Sequence, residues 1–264
     1  MSTILDQLAE HAHERVAADR ERVPLETLIQ QCLCGDVPTR EPYAFEAVLK
    51  KPGMSFICEI KKASPSKGVI AEEFPYLDIA RDYATAGVDA ISCLTEPNWF
   101  LGSDEIFTDV RAAVAIPMLR KDFTVDEYQI YQAKTMGADA VLLICAILSV
   151  DEIRRYLSLC EALGMSALVE AHDAEEIELA IAAGARIIGV NNRNLKDFSV
   201  DTGNSKRLKE LVPAGVLFVS ESGIQSAEDV QLLRESGVDA VLIGEALMRA
   251  NDKKAMLDRF RGAV

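Results

Sequence analysis

Charged side chains at the ends of short apolar runs are the features of this sequence that could do chemistry. In SFICEIKKASPSKG, two-residue alternation puts Ile57, Glu59 and Lys61 on one face of an extended segment. By the same parity IPMLRKD gives Leu119 and Lys121, MSALVEA gives Leu168 and Glu170, and GVNNRN gives Gly189, Asn191 and Arg193. VLFVSES finishes at Glu221 and Ser222. Singly, each is an ordinary rim charge or salt bridge. If the runs are parallel strands sharing one mouth, Lys61, Lys121 and Arg193 converge on Glu59 and Glu170, with Asn191 supplying neutral hydrogen bonds. Such a volume attracts an anion and holds groups able to give and take protons.

Two further turns point to phosphate. ESGI carries Ser222 and Gly223, and IGEAL carries Gly244 and Glu245. Glycine lets a backbone approach closely and leaves its amides open, which suits phosphate held at a turn or helix start. Glu245 fits only if its backbone amide faces the anion and its side chain turns to solvent. His172 follows Glu170 by two residues, but its place beside Asp173 reads as a helix start or loop rather than half of a dyad. His11 and His13 read as exposed helix residues without a third ligand, and no carboxylate and histidine set suggests a metal.

The elements that must position these residues announce themselves by repetition. AGVDAISCL, MGADAVLLI, AAGARIIGV and SGVDAVLIG each start at a helix-ending glycine, and Gly87, Gly137, Gly184 and Gly237 are spaced by 50, 47 and 53 residues. That spacing holds two strand-helix units. The four strands implied, with SFICEIK, IPMLRKD, MSALVEA and VLFVSES between them, make eight, separated by amphipathic helical patterns such as DEIRRYLSLCEAL. Strand-helix alternation implies parallel pairing with right-handed crossovers. Eight regular units with no GxGxxG after the first strand favour a closed (β/α)8 TIM barrel over an open sheet. The expected organisation is a single domain over 1–264, with a helical N-terminal extension at 1–52 acting as brace or lid and eight units at 53–264.

Composition narrows the partners. The 264 residues include 28 basic and 42 acidic ones, a net charge of -14 that repels nucleic acid and anionic membranes. A small anion is still compatible, because salt screens distant charge over about 8–10 Å. No apolar stretch approaches the roughly 18 residues of a membrane helix, and the start lacks a signal-peptide pattern. The six cysteines have no CxxC spacing, which suits a reducing cytoplasm.

At this point the phrases EIKKASPSKG, LTEPNWFLGS, LRKDF, ALVEAHD, GVNNRNL, SESGI and LIGEALM, in this order, resemble the indole-3-glycerol phosphate synthase family. The resemblance spans all eight strands, and the N-terminal extension is a family trait as well. It implies closure of 1-(2-carboxyphenylamino)-1-deoxyribulose 5-phosphate to indole-3-glycerol phosphate with loss of carbon dioxide and water, in tryptophan biosynthesis and without a cofactor. It implies that Lys121 is the general acid on the ketone oxygen, that Lys61 and Ser64 contact the substrate carboxylate, and that Lys61 also serves dehydration. Glu170 is then the base of dehydration, with Glu59 and Asn191 holding the hydroxyls and charge. Arg193, Ser222, Gly223, Gly244 and Glu245 face the phosphate, and Phe100, Phe123, Leu142 and Leu195 wall the aniline ring. The expected partner is a small phosphorylated substrate, and the chain a monomer or weak homodimer.

Chemistry agrees with that assignment. Ring closure interrupts aromaticity, so the ketone must be made strongly electrophilic, which a positioned ammonium does. Lys61 beside Lys121 would lower the acid's pKa while Glu59 and Glu170 oppose it, and sequence leaves the net direction open. A phosphoribosylanthranilate isomerase-like barrel would use a Cys and Asp or two-Asp pair, absent from these strand ends. A barrel that only binds a phosphorylated ligand would have no need of the lysines and glutamates together.

Overall fold

The computed structural model describes residues 3–194 and 198–262. Every one of the eight apolar runs becomes a strand: β1 Ser55–Ile60, β2 Ala90–Leu94, β3 Met118–Lys121, β4 Ala140–Ile144, β5 Ser166–Ala171, β6 Ile187–Asn191, β7 Leu217–Glu221 and β8 Ala240–Ile243. Each pairs in parallel with its neighbour in chain order, and β1 pairs with both β2, Ile57 opposite Ala90, and β8, Ser55 opposite Ala240. The sheet therefore closes and leaves no edge. The (β/α)8 barrel expected from the alternation is the fold observed.

Parity along the strands divides the core in two. Ile57, Leu119, Leu142, Leu168, Val219 and Leu242 point inward into one buried cluster, whereas Phe56, Ile91, Val141, Val169, Ile188 and Phe218 pack outward against the helices. Two residues further along, the inward rows of β1, β3, β5 and β7 arrive at Glu59, Lys121, Glu170 and Glu221. The apolar filling of the barrel thus passes directly into charge at the carboxyl ends of its strands, where barrel enzymes carry their sites.

The repeated phrase has a structural reason at both of its polar positions. Gly87, Gly137, Gly184 and Gly237 all adopt left-handed backbone, with φ between 68 and 92°, where a side chain is strained. The aspartate two residues on accepts a backbone N–H from the first residues of a neighbouring strand: Asp89 from Phe56 at 2.9 Å, Asp139 from Met118 and Asp239 from Phe218, both at 2.8 Å. In the third copy Arg186 takes that place and reaches Glu46 of the N-terminal extension at 2.9 Å.

That extension closes both ends of the barrel. Helix α1 (Ile4–Arg22) starts at a Thr3 and Asp6 capping box and buries Leu8, Ala12 and Val16 at four-residue spacing; α2 (Leu25–Cys34) and α3 (Ala44–Leu49) follow. From α3, Phe45 and Leu49 join the inward cluster at its lower end, where the Glu46 N–H donates to Ser166 at the start of β5 and Ser55 at the start of β1 donates to the Val48 carbonyl. At the opposite end, α1 lays Ile4 and Leu8 against the barrel mouth. Different helices of one segment thus pack at the two ends of the barrel.

The clamp holding α1 is Arg15, whose guanidinium bonds both oxygens of Asp122, at 2.6 and 3.0 Å. Asp122 directly follows β3, is 2% exposed, and also accepts from Thr95 after β2 at 2.6 Å. Burial alone would raise its pKa, but Arg15, Arg120 and Thr95 together hold it below the ordinary aspartate value. A depressed carboxylate contributes stability that is complete above its unfolded pKa, about 4, and is lost as pH falls through its lower folded value. We expect Arg15→Ala to cost about 2–3 kcal/mol at neutral pH by stranding this carboxylate. Urea denaturation should also find that penalty shrinking below about pH 4; a penalty under about 0.5 kcal/mol at neutrality would reduce the clamp to surface decoration.

Candidate active site

Lys121 sits at the centre of the mouth. Its Nζ lies 3.1 Å from Glu170 Oε2 and 3.4 Å from Glu221 Oε2, and those glutamates are each 2% exposed. Burial pushes an ammonium toward neutrality, but Glu170, Glu221 and Glu59 outweigh it and hold Lys121 above the ordinary lysine value. The direction left open by sequence is therefore upward: this lysine is an ammonium at neutral pH. Lys61 spends its charge differently, in an ion pair with Glu59.

The carboxylates around Lys121 are not equivalent. Burial would raise Glu170, yet Lys121 first, then His172, and hydrogen bonds from Lys121 and Asn191 keep it below the usual glutamate value. Glu221 is pushed up to about 7: burial raises it, Lys121 opposes, and Glu170 and Glu59 add repulsion. Its Oε1 is buried and has no hydrogen-bond partner among the described residues. Room for that oxygen comes from Gly189, where a Cβ would collide with it. Sequence parity marks Glu221 as a strand end, but only the geometry puts it on Lys121; Gly189 on the neighbouring strand, which leaves space for the carboxyl, is the available signal.

A cavity of about 580 Å³ opens over this cluster. Lys61, Ser64, Glu59, Lys121, Glu170, Asn191, Arg193, Phe100, Phe123, Leu142, Ser222, Gly223, Gly244 and Glu245 all line it, so the structure brings together every expected site residue except Leu195, which lies outside the described residues. One side is apolar: Leu142 lies beside Phe100 and Phe123, whose ring centroids are 6.1 Å apart, with Ile4 and Leu8 of α1 completing the wall. Asn191 donates to Glu170 Oε1 at 3.3 Å while its own oxygen accepts the Arg193 N–H at 3.0 Å. Arg193 in turn donates to the Phe198 carbonyl.

The glycine turns after β7 and β8 have tasks within the protein too. A Cβ at Gly244 would strike Glu59 Oε2 and crowd Lys61 Nζ, and one at Gly223 would strike Val200. The Glu245 side chain does not turn freely to solvent as expected; it pairs with Arg249 at 3.2 Å and Lys67 at 3.7 Å, because cations of its own helix and of the loop after β1 lie within reach. His11 likewise departs from an exposed helix residue: Nε2 lies 2.9 Å from Asn98 Nδ2, Nδ1 3.4 Å from Glu96, and the ring edges onto Trp99. Glu96, which sequence reading passed over, is fully buried and accepts the N–H groups of Asn98, Trp99 and Phe100. It bends the chain after β2 so that Phe100 reaches the cavity.

Comparison with known proteins then decides the family. The sequence profile described as indole-3-glycerol phosphate synthase matches residues 5–260. The chain belongs to the indole-3-glycerol phosphate synthase family. It is similar to the indole-3-glycerol phosphate synthase of Ruminiclostridium cellulolyticum, 54% identical over 99% of this chain and 100% of the relative. The Lachnoclostridium phytofermentans synthase is 46% identical with the same coverage. Among solved structures, 3-hexulose-6-phosphate synthase (TM-score 0.64, 19% identity, 80% of this chain and all of that one) is similar in fold. So is the Pyrococcus furiosus thiamine phosphate pyrophosphorylase (0.59, 17%, 79% and 94%); at these identities the likeness concerns the barrel alone. Among the described residues no helix is long and apolar enough to cross a membrane.

Within this family site the raised carboxyl of Glu221 has a thermodynamic consequence. A glutamate whose folded pKa exceeds its unfolded one contributes stability that is full below about 4.5 and is lost as pH rises through about 7. We expect Glu221→Gln, which never ionises, to gain thermal stability relative to the parent as pH is raised from about 5 to about 8. Melting temperatures of the two proteins that keep a constant difference across this range would contradict the assignment.

Proposed function

We propose that this chain closes the indole ring, converting 1-(2-carboxyphenylamino)-1-deoxyribulose 5-phosphate to indole-3-glycerol phosphate with release of carbon dioxide and water. The observation that carries the reading is the Lys121 ammonium, held charged among buried carboxylates at the floor of a cavity that is apolar on one side and polar on the other. An apolar slot of phenylalanine and leucine takes the aniline ring. Lys61 and Ser64 meet its carboxylate. On the opposite side Arg193, Ser222, Gly223, Gly244 and the Glu245 amide take the phosphate.

The steps follow from charge. As the ring carbon bearing the carboxylate attacks the ketone, negative charge grows on the ketone oxygen, and Lys121 donates a proton to it. Loss of carbon dioxide removes the carboxylate and returns the bonding electrons to the ring. Dehydration then requires a base for a ring proton and an acid for the leaving hydroxyl. Glu170, kept ionised by its neighbours, is the base, with Lys61 the acid and Glu59 and Asn191 orienting the hydroxyl and the lysine. The substrate's fit to a dry, preformed slot supplies the orientation that makes an aromatic carbon an effective nucleophile.

Purified protein given the anilino substrate should form a product with indole fluorescence without added metal or coenzyme. Lys121→Ala should lower kcat by about a hundred- to ten-thousand-fold while leaving KM within a few-fold. Stopped-flow fluorescence measures both. Turnover in the variant within about threefold of the parent would remove Lys121 from the role of acid.

A further inference from the structure

His172, immediately beyond β5, stands outside the roles assigned above. Its place at the helix start is as the sequence suggests: the helix Ala174–Ala183 contributes Glu176, whose Oε2 accepts the His172 backbone N–H at 2.8 Å and lies 3.1 Å from Nδ1. Asn204 donates to the His172 carbonyl at 3.0 Å, so the residue is tied from a second helix as well. With Nδ1–H given to Glu176, the other ring nitrogen faces the barrel mouth. Nε2 is buried, lies 3.5 Å from Glu170 Oε1, and has no hydrogen-bond partner among the described residues.

We propose that His172 is a positioning residue for Glu170, an imidazolium seated between Glu176 and Glu170 that keeps the latter a carboxylate when Lys121 gives up its proton. The inference rests on the reading of Glu170 as the base of dehydration. Glu170 has two charged supports, Lys121 on Oε2 and His172 facing Oε1. Lys121 is shared with Glu221, and its charge disappears at the moment it protonates the ketone oxygen. A base that relied on Lys121 alone would become a better proton trap before the step that needs it free. A second cation that takes no part in ring closure removes that dependence.

The surroundings favour the charged ring. The titratable groups facing His172 are Glu176 from the helix after β5, Glu170 from β5 and Glu221 from β7. Burial lowers the imidazole's pKa, but the bond to Glu176 and the charges of these carboxylates raise it on balance.

The test is the pH profile of kcat for the full-length parent, His172→Gln and Glu176→Gln. Loss of an opposite charge a few ångströms away raises a carboxylate's pKa, so the acid limb should move up by about one pH unit in His172→Gln and by less in Glu176→Gln. The activity deficit should deepen as pH falls. Acid limbs superimposable on the parent's, or a loss of kcat equal at all pH values, would overturn the proposal by reducing His172 to a structural part. Should His172→Gln fail to fold, Glu176→Gln and NMR titration of the His172 ring in the parent decide it: a ring pKa at or below the ordinary 6.5 sinks the idea. A parent that makes no indole product instead refutes the reading of function, which the profiles alone leave standing.

Discussion

Ion pairing at Lys121 is the constraint on which the upper barrel depends. Glu59, Glu170 and Glu221 are each 5% exposed or less, and carboxylates so removed from water are tolerable only where cations and donors compensate them. Glu59, Lys121, Glu170 and Glu221 come from β1, β3, β5 and β7, alternate strands that in a barrel of this kind supply one layer of four inward side chains. In the layer below, the same strands contribute Ile57, Leu119, Leu168 and Val219. One layer of an otherwise apolar filling has therefore been written in charge. Its cation cannot be replaced by a hydrophobe, since three carboxylates would be left to repel one another.

Holding that layer requires support from outside the barrel. Lys121 and Phe123 flank Asp122, and the bidentate bond from Arg15 fixes this short stretch against α1, while Thr95 ties it to the end of β2. The same helix places Ile4 and Leu8 on the apolar wall. The N-terminal segment is accordingly part of the site's architecture: it orients the strand end that bears the central cation and covers the slot beside it. Its last helix, plugging the other end with Phe45 and Leu49, keeps water from the layers beneath.

Sequence carried the barrel and most of the mouth because both are parity arguments. An inward leucine two residues before a lysine or glutamate predicts where the charge points, and this succeeded at Glu59, Lys121 and Glu170. What it could not reveal were contacts between distant segments. Glu221 reads as a rim charge until Lys121 is found beside it, and Glu96 reads as a loop charge until three amides converge on it. Glu245 was taken for a solvent-facing side chain because Arg249 and Lys67 approach only in the folded chain. The resemblance to a known family supplied the substrate and the residue roles, which neither parity nor periodicity contains.

Glu221 gives the layer an adjustable charge. With its carboxyl near about 7, this glutamate is neither reliably ionised nor reliably neutral in ordinary cellular conditions, while Glu170 is ionised and Lys121 protonated. An anion entering the cavity adds repulsion to every carboxylate beneath it. Glu170 is restrained by Lys121, His172 and Asn191, so the change falls on Glu221, whose Oε1 has no hydrogen-bond partner among the described residues. Binding of an anionic ligand is thereby linked to proton uptake by one carboxyl.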